Sequence, residues 1–162
     1  MTVRLVSPDW LPDLSKPRFA HKYEHGHALI FAGGRGAGGA ARLAARAALR
    51  IGAGAVTLLC PSDALIENAM RLDAIMLSGC DTPDAIGAHI ADRRVTAICV
   101  GPAMGLAPGR EWFVAAALEA SCGRGVVLDA DAITHLARAP ELRKSIHEGC
   151  VLTPHAGEFA RL

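Results

Sequence analysis

The sequence holds 162 residues, 51% apolar but only 4% aromatic, with 17 basic and 16 acidic side chains and a net charge of +1. A chain of this length suits one domain around a single core, which must rest on Ala, Leu, Ile and Val. Near-neutrality removes the electrostatic case for nucleic acid or an acidic membrane as partner, since both need a clustered excess of Lys and Arg.

Five cysteines, Cys60, Cys80, Cys99, Cys122 and Cys150, are widely spaced and odd in number. That pattern argues against a disulfide framework and fits buried thiols in a reducing compartment. The first residues show no apolar signal core. The most apolar stretch, 40–60, is broken by Arg42, Arg46 and Arg50. A membrane span is therefore excluded, and a cytoplasmic protein is expected.

Residues 1–27, with Pro8, Pro12 and Pro17, read as a leader or linker that wraps onto a domain filling 28–162. The apolar run 27–32, ending in Gly33-Gly34, reads as a buried strand. Residues 39–51 are rich in Ala and Leu, with arginines every four residues. They predict an amphipathic helix that Gly52 can end. A strand at 55–60 leads through Pro61-Ser62-Asp63 to a helix reaching about residue 70. A weaker strand at 74–77, a helix at 84–92, a strong strand at 95–100 and a helix at 110–121 follow. Next come a strand at 125–128, helices at 130–138 and 141–147, a strand at 150–152, and a helix opening at Pro154. Continuous apolar strands separated by helices imply an α/β fold with a mostly parallel sheet covered on both faces. In such sheets ligands bind beyond the carboxyl ends of the strands.

Four post-strand loops carry the candidate chemistry. Gly34, Gly36 and Gly39 match Gly-x-Gly-x-x-Gly between a strand and a helix, where bare backbone and a helix N-terminus can receive an anion. A ligand-free glycine turn explains the same residues. Against a dehydrogenase, the second strand ends in Cys60-Pro61 where an acid should meet ribose hydroxyls. Gly101-Pro102-Ala103-Met104-Gly105 is either a stiff turn or a ligand-facing loop. Asp129-Ala130-Asp131 places carboxylates at a strand end, with Asp131 expected as the N-cap of the next helix. Thr153 can cap a helix beginning at Pro154, which would aim His155 into the cleft. His21, His25 and His27 have poor spacing for a metal site, and no metal ligands are expected. There is no Gly-x-Ser-x-Gly elbow or Walker lysine.

Taken in order, these loops resemble the ADP- or ATP-dependent NAD(P)H-hydrate dehydratase family. The resemblance runs from a His-Lys-containing segment at His21-Lys22 through Gly33-Gly34-Arg35, Gly39-Ala40-Ala41 and Arg50-Ile51-Gly52-Ala53-Gly54. It continues through Gly101–Gly105, Leu128–Ala132 and Leu152-Thr153-Pro154-His155-Ala156-Gly157-Glu158. Ala103 stands where the family has glycine. The resemblance implies a ribokinase-like three-layer α/β/α fold. It also implies repair of the S-hydrate of NADH or NADPH, by phosphorylation of the ring hydroxyl and loss of phosphate. Ala40, Gly105 and His155 would line the hydrate's site, with Gly39, Gly101 and Asp129 as further candidates. ADP or ATP with Mg would be the donor, and a homo-oligomer (a tetramer in the family) or an epimerase partner or fusion would be the company. The family's Lys-Gly segment and Gly-x-Gly-Asp loop, with its general-base aspartate, have no counterpart before Leu162. The expectation is a domain truncated at its C-terminus, with an incomplete sheet, no catalytic residue of its own and impaired activity. The competing readings are a ribokinase-like small-molecule kinase and a non-catalytic nucleotide-binding remnant.

Overall fold

The structure, a computed structural model, describes residues 7, 9, 13–119 and 123–162. Its centre is a six-stranded sheet of β1 (His27–Phe31), β2 (Ala55–Cys60), β3 (Met76–Gly79), β4 (Val95–Val100), β5 (Gly125–Leu128) and β6 (Cys150–Leu152). The spatial order is β3-β2-β1-β4-β5-β6, and every pairing is parallel. Strand order therefore reverses at β1, so the crevice between the ends of β1 and β4 is where such a sheet receives ligands.

Helix α1 (Gly39–Ile51) is built from strong helix formers and closes at Gly52, whose φ of 130° suits glycine. It buries Ala41 and Ala45 against β1 and β2, where small side chains let helix and sheet approach closely. The arginine stripe is not a plain solvated face. Arg42 donates to Asn68 Oδ1 at 2.8 Å and Arg46 to the Arg71 carbonyl at 2.6 Å, which fastens α1 to the segment around α2 (Leu65–Ala69). The opposite face is covered by α3 (Pro83–Ile90), α4 (Glu111–Glu119), α5 (Asp131–Arg138) and α6 (Pro140–Arg143). There Phe31 meets Phe113 edge-on at 5.4 Å.

Several boundaries differ from those read in the sequence. The weak strand lies at Met76–Gly79 rather than 74–77, because its register is set by pairing Thr57 to Met76 and Cys60 to Gly79. The helix after β2 is a 3₁₀ turn, Ser62–Ala64, running into the short α2. Helix α3 starts at Pro83 under a Thr82 cap and stops at Ile90. The stretch 141–147 holds only the one-turn α6. Part of the expected leader is docked: a 3₁₀ turn at Lys22–His25 lies so close to Gly54 that a Cβ there would sit 1.6 Å from the Lys22 carbonyl oxygen. Cys60 and Cys80 are buried and Cys99 and Cys150 half-buried, all free; Cys122 lies outside the described residues. Burial pushes the Cys80 and Cys99 thiols up to about 11.

The two sheet faces are unequally covered. On the α1 side, Ile30, Cys99, Val127 and Val151 lie in register across four strands. Exposure rises along that row from 4% at Ile30 to 36% at Val127 and 55% at Val151. Leu128 on β5 and Val151 on the edge strand β6 should thus respond very differently to truncation. Leu128→Ala should cost about 2–5 kcal/mol in urea unfolding, and Val151→Ala under about 1 kcal/mol.

His27, the last histidine of the loose cluster, lies inside the fold. It is 6% exposed at the amino end of β1, with Nε2 2.8 Å from Thr57 Oγ1 and no partner for Nδ1. Desolvation pulls its pKa below the ordinary imidazole value, with Asp92 partly opposing. The folded chain therefore keeps this ring neutral while the unfolded chain takes up a proton, so stability is complete above about pH 6.5 and falls on acidification. Thermal melts from about pH 7 to about pH 5.5 should show this fall, and His27→Gln should flatten it.

Candidate functional site

The sheet order puts the four motif loops side by side, after β1, β4, β5 and β6. Their spacing is set by absent side chains. A Cβ on Gly33 would lie 1.9 Å from the Ala103 carbonyl oxygen, joining the first loop to the second. A Cβ on Gly101 would lie 1.8 Å from the Asp129 carbonyl oxygen, joining the second to the third. The third meets the fourth through a side chain: the Thr153 hydroxyl donates to Asp129 Oδ1 at 2.7 Å. Four separate segments thus form one rim.

Asp131 does not serve as the N-cap expected of it. Helix α5 begins at Asp131 itself, after Ala130, which turns at a φ of 47°. The Asp131 carboxylate instead accepts the Gly105 N–H at 2.8 Å. One turn on, His135 Nε2 donates to the Gly105 carbonyl at 3.0 Å. Residues four apart lie on one helix face, so a single face of α5 grips both sides of the Gly105 peptide. The cap expected of Thr153 has also moved. Helix α7 starts at Ala156 rather than Pro154 (Ala156–Phe159), and His155 is its N-cap. His155 Nδ1 accepts from the N–H groups of Gly157 and Glu158, while Glu158 Oε2 accepts from His155 N–H at 3.0 Å. A ring accepting at Nδ1 carries its proton at Nε2 when neutral. That nitrogen lies 3.3 Å from Glu158 Oε1 on a side chain that is 68% exposed.

Of the residues singled out in the sequence, Gly39 and Ala40 open the first turn of α1 and are exposed. Space is open in front of the Gly39 and Gly105 Cα atoms. His155 stands on the rim's outer loop. Gly101 is buried against the Asp129 carbonyl oxygen. Asp129 is half-buried and shares one oxygen with Thr153. The glycine-rich loop is less free than its motif suggests, because the Gly36 N–H already donates to Glu67 Oε2 at 2.7 Å. Sequence reasoning did not single out His135; its only signal was the four-residue spacing from Asp131.

The family profile for NAD(P)H-hydrate dehydratase matches residues 28–162. The chain belongs to the NAD(P)H-hydrate dehydratase family. It is 40% identical over 153 residues to the bifunctional NAD(P)H-hydrate repair enzyme of Salinibacter ruber, covering 88% of this chain and 28% of that one. It is 32% identical over 158 residues to the ADP-dependent (S)-NAD(P)H-hydrate dehydratase of Listeria monocytogenes, covering 94% and 54%. Among solved structures, a hypothetic protein from Streptococcus mutans superposes with a TM-score of 0.78 at 25% identity, over 91% of this chain and 52% of that one. A ribokinase-like superfamily protein from Enterococcus faecalis gives 0.73 at 21%, over 91% and 51%. The fold is therefore ribokinase-like. The chain spans 28% of the length of these bifunctional relatives and about half of the single-function dehydratase.

This member of the dehydratase family carries its alanine at position 103 at a cost. Ala103 has a φ of 54°, in the left-handed region where a Cβ is strained by roughly 1 kcal/mol or more. The grip of α5 on Gly105 helps hold the loop in place against that strain. Asp131→Asn weakens the charged half of the grip and His135→Leu removes the other half. Each should speed hydrogen exchange at the Gly105 amide by about tenfold, read by NMR, with little change at the β2 amides.

Proposed function

We propose that this chain forms the substrate-binding side of an NAD(P)H-hydrate dehydratase, taking the S-hydrate of NADH or NADPH, with ADP as phosphoryl donor. The carrying observation is that Gly39, Ala40, Gly105 and His155 stand on loops at the carboxyl ends of β1, β4 and β6, on one side of the sheet, with space in front of the Gly39 and Gly105 Cα atoms. The name of the Listeria relative supports ADP over ATP.

Each residue then has a distinct part. The first-turn amides of α1, at Gly39 and Ala40, have no side-chain cap and can donate to phosphate oxygens. Gly105 has its N–H and carbonyl engaged by Asp131 and His135, so it offers mainly a bare Cα face, flat enough for a ring to lie against. His155, with its proton at Nε2, can donate to a hydroxyl or phosphate oxygen. The chemistry to be served is transfer of the terminal phosphoryl group of ADP to the ring hydroxyl, then expulsion of phosphate to restore the dihydronicotinamide. Such transfer depends on positioning and charge stabilisation. The described residues bring together no group of three or more His, Cys, Asp or Glu that could hold a metal ion. Magnesium, if used, would arrive on the nucleotide's phosphates. An epimerase partner or fusion accords with the bifunctional relatives, and self-association is the further expectation. No helix among the described residues is long and apolar enough to cross a membrane.

Calorimetric titration of the chain with the S-hydrate of NADPH tests this reading. Saturable binding is expected, with Ala40→Glu weakening it at least about tenfold while the circular dichroism spectrum stays unchanged. Absence of binding, or indifference to Ala40→Glu, overturns it. With ADP added, this chain alone should restore no dihydronicotinamide absorbance, because the carboxylates on its loops are engaged by the protein: Asp129 by Thr153, Asp131 by Gly105 and Glu158 by His155.

A further inference from the structure

We propose that a groove beside the Gly105 loop is a phosphate subsite, with Arg138 and Arg161 as its anion-binding side chains. This deepens the proposed function and rests on that reading, because the groove begins where the Gly105 contact ends. It has a volume of about 560 Å³ and is lined by Leu106, Thr134, Ala137, Arg138 and Arg161. That volume lies within the roughly 300–1,000 Å³ range of small-molecule sites.

Three observations point to a phosphate-bearing ligand. First, two arginines line one groove from separate elements, Arg138 from the last turn of α5 and Arg161 from just beyond α7. Second, no carboxylate lines the groove, and neither guanidinium has an ion pair or hydrogen bond among the described residues. Arg42, Arg94 and Arg143, by contrast, are each held by an oxygen of the protein. Third, the remaining lining is apolar or neutral: Leu106, Ala137 and the Thr134 hydroxyl suit a sugar or base edge, leaving the charges to the arginines.

An arginine in the last turn of a helix has an ordinary explanation in the helix dipole, which would account for Arg138 alone. It does not account for Arg161 facing the same space. A guanidinium binds phosphate through paired N–H donors, and two of them match the charge of a diphosphate or a ribose phosphate. The phosphate could belong to the dinucleotide or to ADP, and both present the same chemistry.

The test is calorimetric titration of the full chain with NADPH, NADH, ADP and adenosine, for wild type, Arg138→Gln, Arg161→Gln, Arg161→Lys and Ala40→Glu. Thermal melts verify that each variant is folded. Each Gln variant should weaken binding of at least one phosphate-bearing ligand by about tenfold, leave adenosine unaffected and reduce the salt dependence of binding. Arg161→Lys should retain most of the affinity. Loss confined to ADP assigns the groove to the nucleoside diphosphate; loss greater for NADPH than NADH assigns it to the ribose phosphate. If Ala40→Glu abolishes NADPH binding while both Gln variants bind like wild type, the subsite is overturned and the parent reading survives. If the Gln variants weaken binding and Ala40→Glu does not, the subsite stands and the parent reading falls. A wild-type chain that binds none of the phosphate-bearing ligands overturns both.

Discussion

In a parallel sheet neighbouring strands run about 4.8 Å apart, so loops leaving adjacent strand ends must either splay outward or share backbone contact. At Gly33 and Gly101 they share it. Each glycine meets a carbonyl oxygen of the next loop at a distance that any Cβ would violate. These contacts fall on both sides of β4, and the Thr153–Asp129 hydrogen bond extends the series to β6. Replacing either glycine would not simply strain a turn. It would push one loop off its neighbour and open the crevice at the point where strand order reverses. The site's geometry therefore depends more on what two residues lack than on any side chain.

That close contact forces unusual backbone nearby. Ala103 and Ala130 are the described non-glycine residues with positive φ, and they sit in the second and third loops. The bend at Ala130 brings Asp131 to the very start of α5, where its carboxylate is free of a capping duty and can reach Gly105. His135 then acts from the same helix face. A strained loop and a two-point grip from one rigid helix are complementary: the strain favours departure from the loop conformation, and the grip opposes it. Because α5 is packed through Ala132 and Leu136 into the core beneath β5, the Gly105 peptide is referred to the sheet itself and not to a flexible neighbour.

Much of this was legible in the sequence. β1, β2, β4 and β5 announce themselves as continuous apolar runs because both their faces, or one long face, are buried, and the post-strand motifs follow from them. β3 was misplaced by two residues because its apolar content is low and its partner strand, not its hydropathy, sets its register. The capping errors at Asp131 and Thr153 share one cause. A short polar residue before a helix satisfies local rules for an N-cap, but both side chains found partners 24 to 26 residues away in other loops. No local pattern reveals such long-range competition. His155 as a cap was hidden for the converse reason, since histidine is an uncommon capping residue while its backbone setting, before Gly157 and Glu158, suits a capping box well.

The distribution of chemical character over the rim follows from the same packing. Near the reversal point the chain is Gly33, Gly39, Ala40 and Gly105: the Ala103 loop packs on the bare backbone at Gly33, and space stays open before Gly39 and Gly105. Polar side chains on the rim include Asp129, Thr153 and His155, and the groove beside Gly105 adds Arg138 and Arg161. On the proposed function, such an arrangement would recognise shape at Gly39 and Gly105 and charge at the neighbouring groove. A planar ring can lie against bare backbone without a polar group being desolvated beneath it, while phosphates can be held where water still reaches the guanidinium groups. Aligning a dinucleotide needs both, and neither demands an acid or base from this part of the molecule. On the proposed function, what these loops would supply is position, which for phosphoryl transfer is a large share of catalysis.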